Sequence, residues 1–353
     1  MSTTRPFGIL VIAAAFYLCA SASQIAAQTK VSTEPGATFT TLQSFNGKDG
    51  RMSNAGMVQA TNGNLYGTTY FGGAKNSGEV FEIATGGTLT TLHSFCSKGG
   101  CTDGEYTYAT PVQGTDGNFY GTTYSGGANG NGTVFEITTN GTFTPIYNVC
   151  SESGCPDGNY LYAGLIQATD GNLYGIMDED GANGGGTIFR ITTTGTLTIL
   201  YSLCSQSGCA DGQYPAGELF QDTNGSLYGT TADGGANDDG TIFSLSIGLS
   251  PFVEAQPASG IVGATVRILG TDLTGATSVT FNGTTATFTV VSISEITTTI
   301  PKSATSGEVQ VMTPSGLFLS NVPFQVLPQR SGAVRCPTVC HAGHNQQFLS
   351  SRE

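Results

Sequence analysis

The hexapeptide Asn64-Leu65-Tyr66-Gly67-Thr68-Thr69 returns as Asn118-Phe119-Tyr120-Gly121-Thr122-Thr123, as Asn172-Leu173-Tyr174-Gly175 and as Ser226-Leu227-Tyr228-Gly229-Thr230-Thr231, each time 54 residues further on. A second motif keeps the same step: Val80-Phe81-Glu82-Ile83, Val134-Phe135-Glu136-Ile137, Ile188-Phe189-Arg190-Ile191 and Ile242-Phe243-Ser244-Leu245. So do the pairs Cys96/Cys101, Cys150/Cys155 and Cys204/Cys209. A chain that repeats itself at this period builds copies of one supersecondary unit, each burying its apolar surface against the next.

Each unit reads as four short strands. In the second, residues 107–114 are rich in β-formers, and Thr115-Asp116-Gly117 is a tight hairpin turn. Residues 118–124 make the next strand. A Gly-rich loop, 125–131, leads to residues 133–138, and Asn140-Gly141 turns the chain into 142–149. Phe135 and Ile137 share one face and Val134 and Glu136 the other, which is the alternation of a pleated strand. The 51 glycines of the 353 residues follow no collagen period, so they mark turns. Four antiparallel strands per unit predict β-propeller blades. The fourth unit ends at Leu245 without a fourth strand, while Thr38-Phe39-Thr40-Thr41-Leu42-Gln43-Ser44-Phe45 matches residues 88–95 and precedes the first unit. The expectation is that this N-terminal strand completes the last blade and closes the ring; because four blades is the low end for propellers, an open or stacked array is the alternative. Domain limits are expected at 38–247 for the repeats.

The Asn-Leu-Tyr-Gly-Thr-Thr-x-x-Gly-Gly-Ala core resembles the GloVer tandem repeat of exported bacterial proteins, over roughly residues 38–246. Its Asp-Gly-Asn-Leu-Tyr turn is also similar to two-component-regulator and NHL-type blades. The resemblance implies architecture and export, and no activity. The third unit departs from the pattern, with Ile176-Met177 for Thr-Thr and Asp180 for the first Gly of the loop.

The motifs stop at Ser250-Pro251. Alternating segments such as Thr265-Val266-Arg267-Ile268-Leu269 and Val309-Gln310-Val311 then suit an immunoglobulin-like sandwich over 250–328. This stretch closely resembles the IPT/TIG domain, on the Phe281-Asn282-Gly283 turn and on Pro301-x-x-Ala304-x-x-Gly307. Such modules imply a spacer or interaction role. Residues 329–353 are polar and show no alternation, and are expected to be mostly disordered.

Residues 1–27 read as a signal peptide, with Arg5 ahead of an apolar run from Phe7 to Ala20 that is too short for a membrane span. No later stretch is long and apolar enough to cross a membrane. Export favours disulfides within the three repeated cysteine pairs and between Cys336 and Cys340. Zinc, with His341 and His344, is the rival for the last pair. The net charge of −13 gives no electrostatic ground for binding nucleic acid.

Beside each cysteine loop sits an Asp-Gly: Asp49, Asp103, Asp157 and Asp211. Tyr106, Tyr160 and Tyr214 follow three residues later in units two to four. A ring of carboxylates and aromatic rings on one face can hydrogen-bond and stack a glycan. The alternative is that the Asp side chains cap turns and the Tyr rings pack between blades. The acidic clusters Asp178-Glu179-Asp180 and Asp238-Asp239 do not repeat, so no metal site is expected; calcium needs several converging oxygens. No nucleophile elbow, HExxH or phosphate loop occurs, no cofactor is implied, and His93 stands where Tyr147 and Tyr201 pack. The sequence therefore predicts a secreted binding or surface protein recognising a glycan or a protein. A polysaccharide-active enzyme working through carboxylates and a structural spacer are the alternatives. Two unlike carboxylates in one cleft favour the enzyme; equivalent loops on a flat face favour binding or structure.

Overall fold

A computed structural model describes residues 37–328. The expected signal peptide, and Cys336 and Cys340 with the expected tail, lie outside the described residues. Those residues are all-β apart from 3-10 turns at Gly99–Cys101 and Ser207–Cys209.

Three complete four-stranded antiparallel sheets follow one another. The first holds β1 (Met57–Gln59), β2 (Leu65–Thr69), β3 (Glu79–Ile83) and β4 (Leu89–Ser94). The second holds β5 (Val112–Gln113), β6 (Phe119–Thr123), β7 (Thr133–Ile137) and β8 (Phe143–Asn148). The third holds β9 (Ile166–Gln167), β10 (Leu173–Met177), β11 (Thr187–Ile191) and β12 (Leu197–Ser202). Each sheet runs in chain order, one per repeat.

The repeated motifs have physical reasons. Tyr66, Tyr120 and Tyr174 are buried, and their hydroxyls find a partner at the preceding turn. Tyr120 donates to Asp116 Oδ2 at 2.6 Å and Tyr174 to Asp170 Oδ2 at 2.8 Å, while Asn62 Nδ2 donates to the Tyr66 hydroxyl at 2.8 Å. The Gly that follows each Tyr lies under the Phe of the second motif: a Cβ on Gly67 would stand 2.7 Å from Phe81 Cζ, and Gly175 meets Phe189 in the same way at 2.6 Å. The motifs are thus two halves of one contact. Neighbouring sheets are also stitched together. Tyr66 stacks on Phe119 with centroids 4.1 Å apart. Thr68 Oγ1 donates to Ala109 O at 2.9 Å, and Thr122 Oγ1 to Ala163 O at 3.0 Å. Gln113, Gln167 and Gln221 each accept, through Oε1, from a turn N–H 52 residues earlier: Thr61, Thr115 and Thr169.

The last sheet has three strands, β13 (Gln213–Gln221), β14 (Leu227–Asp233) and β15 (Thr241–Leu245), with β15 at its edge. The fourth unit does lack its own fourth strand. The expected closing strand is not formed, however: residues 37–46 carry no strand. Residues 37–42 separate as a unit of their own. The end of the segment is instead committed locally. Gln43 Nε2 and Asn46 Nδ2 donate to Asp49 Oδ2 at 3.2 and 3.0 Å, and Phe45 packs edge-on against Phe81 at 5.5 Å, the same separation as between Phe95 and Phe135 one repeat later. β15 stays poorly covered, with Ile242 84% exposed where its counterparts Val80, Val134 and Ile188 are buried.

The second domain is a sandwich. One sheet pairs Glu254–Gln256, Thr265–Leu269, Glu295–Thr299 and Phe288–Ser292 in that order. The other pairs Thr284–Thr285, Ser278–Phe281, Val309–Thr313 and Gly316–Leu319. Alternate residues point inward, so Val266, Ile268, Val279, Phe281, Ile296, Val309, Val311 and Phe324 form one core. Its join to the repeats is hydrogen-bonded, by Phe252 N to Thr223 O at 2.9 Å.

Candidate functional site

The conserved-step carboxylates sit in the cysteine loops and are used there. The structure contains the disulfides Cys96–Cys101, Cys150–Cys155 and Cys204–Cys209. Each cysteine loop touches its Gly-rich loop: Gly127, Gly181 and Gly235 N–H donate to the carbonyls of Cys101, Cys155 and Cys209. Asp103 is fully buried and accepts from Ser97 N, Ser97 Oγ and Lys98 N, with His93 Nε2 3.0 Å away. Asp157, also buried, accepts from the Tyr147 hydroxyl at 2.7 Å and Cys150 N at 2.9 Å. Asp211 accepts from the Tyr201 hydroxyl, Ser205 and Gln206 N. Burial works to raise the Asp211 pKa, but the Ser205 and Tyr201 hydroxyls and the loop N–H groups outweigh it and hold it at about 2. In the first unit Asp49 accepts from Asn46 N at 2.7 Å. All four Asp thus cap their own loops.

Tyr106, Tyr160 and Tyr214 take left-handed backbone conformations, with φ of 59°, 56° and 55°. Tyr106 N donates to Ser77 O, and Tyr214 N to Gly185 O, each in the preceding unit. The Tyr106 ring lies 5.1 Å from Tyr70, and Tyr160 stacks on Tyr124 at 4.8 Å, so these two join sheets. His93 stacks on Phe143 at 3.9 Å, and burial lowers its pKa against the pull of Asp103. Among the described residues the only His, Cys and carboxylate group tight enough for a metal is Cys96, Cys101 and Glu105, and both sulfurs are spent in a disulfide. Asp180 accepts from Asn159 Nδ2 and Asp238 from Gly234 N, as turn residues do. No helix of the described residues is long and apolar enough to cross a membrane.

The open cavity lies elsewhere. One cleft of about 510 Å3 is lined by matching positions of all four units: Asn54, Tyr108, Tyr162 and Ala216 at one, and Gly56, Thr110, Gly164 and Glu218 at another. Equivalent positions of all four repeats thus converge on one cavity, the axial cleft. The volume falls within the usual range for small-ligand sites. The repeat breaks down here. Asp178 also lines the cavity and stands where the first two units have Tyr70 and Tyr124; Glu218 stands where the others have Gly, Thr and Gly.

The tyrosines form a connected group at the mouth. Tyr108 lies 4.5 Å from Tyr70 and 5.1 Å from Tyr162, and Tyr162 lies 4.7 Å from Tyr124. Burial and the neighbouring Tyr70 hydroxyl push Tyr108 up to about 12. The Tyr162 hydroxyl and then burial do the same for Tyr124. Tyr108 and Tyr124 are therefore neutral at physiological pH. Tyr162 is 43% exposed, which leaves it free for contact. Burial, and then the adjacent Glu179 charge, push Asp178 up to about 6. The Glu218 residue is largely exposed, but its Oε1 lies against Gly164, and the partial desolvation of that tip raises its pKa. Sequence reasoning missed Glu218 and weighed Asp178 only as part of a loop cluster. The available signal was their departure from the 54-residue pattern.

Among solved structures the chain is similar to virginiamycin B lyase from Staphylococcus aureus, at 13% identity over 77% of this chain and 84% of that one, with a TM-score of 0.34. It is similar too to the extracellular domain of a hybrid two-component system from B. thetaiotaomicron, at 14% identity over 78% of this chain and 33% of that one, with a TM-score of 0.36. No curated protein matches. The IPT/TIG domain model matches residues 252–326. The model described as the Gloeobacter/Verrucomicrobia repeat matches residues 14–243, well over half of the sequence, and the chain belongs to that family.

Proposed function

We propose that this is an extracellular, non-catalytic binding protein that takes a glycan in the axial cleft. The observation that carries the reading is the breakdown of the repeat there. Positions that serve the scaffold recur in register, whereas in the cleft Asn54, Asp178 and Glu218 depart from the 54-residue pattern beside Tyr108 and Tyr162, which keep it. Tyrosine rings offer apolar faces to a sugar ring and hydroxyls to its edges. The Asp-Tyr loops weighed from sequence are spent on internal bonds, so recognition moves from the loops to the axis. The three disulfides suit an oxidising compartment, and the second domain then serves as spacer or interaction module. Binding of a glycan panel to the full chain tests the reading. Tyr108→Ala and Tyr162→Ala should each weaken binding about tenfold or more while leaving the circular dichroism unchanged. Equal binding by both variants refutes it.

Two unlike carboxylates in one cleft favour a second reading, a polysaccharide-active enzyme with Asp178 and Glu218 as its acid and base. Against it, neither carboxylate is hydrogen-bonded among the described residues, and a catalytic group needs partners that fix its position. Reducing-sugar release measured beside the binding assay separates the two.

A further inference from the structure

The axial cleft is acidic and has no internal counter-charge. No Lys, Arg or His lines it, and neither the Asp178 nor the Glu218 carboxylate takes part in an ion pair or hydrogen bond among the described residues. By contrast, the loop carboxylates of Asp103 and Asp211 each accept three or more bonds from their loops. The two axial carboxylates are partly desolvated without that compensation, and burial raises the pKa of both. A partly desolvated carboxylate gains most from a charged donor. Beside the carboxylates stand the Tyr108 and Tyr162 rings, whose faces attract cations. Calcium fits poorly, because the cleft supplies two carboxylates and not the six to eight oxygens such an ion takes.

We infer that the axial cleft selects a saccharide carrying a protonated amine, held by Asp178 and Glu218 beside the Tyr108 and Tyr162 rings. The inference rests on the glycan reading above and narrows it to amino sugars whose nitrogen is not acylated. An N-acyl group removes both the charge and two of the donors, so the acylated counterpart should lose the contact while keeping its ring.

The test is calorimetric titration of the full chain with glucosamine oligosaccharides, their fully N-acetylated counterparts and a neutral glucan of equal length, at about 0.15 M salt and neutral pH. The amine form should bind about tenfold or more tightly than the N-acetylated form. Asp178→Asn and Glu218→Gln should each abolish most of that preference, by weakening the amine form more than the N-acetylated sugar. The chain carries a net charge of −13, which attracts polycations anywhere on its surface. Asp239→Asn, on the fourth Gly-rich loop, is therefore the control and should leave the preference intact. Equal binding of amine and N-acetylated forms overturns the inference and leaves the glycan reading standing. A loss with Asp239→Asn as large as with Asp178→Asn also overturns it. Binding of no saccharide overturns both.

Discussion

Glu79 opens β3, at the position that Thr133, Thr187 and Thr241 fill in the other units, and it is completely buried. Its carboxylate accepts long hydrogen bonds from Thr91 Oγ1, at 3.3 and 3.4 Å. Burial first, and then the nearby Asp49 charge, push its pKa from the ordinary 4.5 to about 7, against the lowering effect of Thr91 and Ser94. The raised value fixes the sign. Below pH 4.5 the carboxyl is protonated in both folded and unfolded chains, and its contribution is fully present. Between 4.5 and about 7 the unfolded chain releases the proton while the folded one keeps it, so stability falls as pH rises. At about 1.4 kcal/mol per tenfold change, the loss is on the order of 3 kcal/mol by pH 8. Glu79→Gln keeps the shape and removes the titration. Urea unfolding at several pH values from 4.5 to 8.5, followed by tyrosine fluorescence since the chain has 14 Tyr and no Trp, should show the natural protein falling relative to the variant across that window. Parallel curves for the two proteins refute the reasoning, because they mean that the carboxyl is solvated.

Two further predictions address the scaffold. Asp157→Ala leaves the Tyr147 hydroxyl and Cys150 N–H without their acceptor, so urea unfolding should show a loss of roughly 2–3 kcal/mol, with glycan binding unchanged. Gly67→Ala places a methyl 2.7 Å from Phe81 Cζ and 3.2 Å from Met57 Cγ. It should cost roughly 1–3 kcal/mol, seen as a lower thermal midpoint.

The architecture was legible because repetition records what the scaffold needs. Tyr66, Gly67 and Phe81 form one contact, so each fixes the identity of the others, and their recurrence places the sheets with the correct phase. At Asp103, Asp157 and Asp211 the same recurrence fits two readings, and the loop bonds that carry the capping one become visible only in the structure. Residues 38–45 carry the sequence of a fourth strand, yet the end of that segment is held by Asp49 and Phe81 of the first unit, a local competition that pattern alone does not reveal. The axial cleft was hidden for the opposite reason. It gathers residues more than 160 positions apart, from Asn54 to Glu218, and it is built from the positions where the repeat fails.

The bonds that run from one turn to the Gln 52 residues ahead constrain how such a chain can have grown. They tie the hairpin turn of one unit to the first strand of the next, so whatever the chain does between donor and acceptor must bring the two back to the same place. The three cysteine loops all lie inside these spans, and all keep the same length and the same disulfide. The one crossing of a different length begins before the first donor: Phe45 precedes Asn64 by 19 positions, whereas Phe95 precedes Asn118 by 23, and the first unit makes the shorter crossing without a disulfide. Length is thus constant where a donor must meet an acceptor in the next unit, and differs where the chain enters the first unit with no earlier turn to answer to.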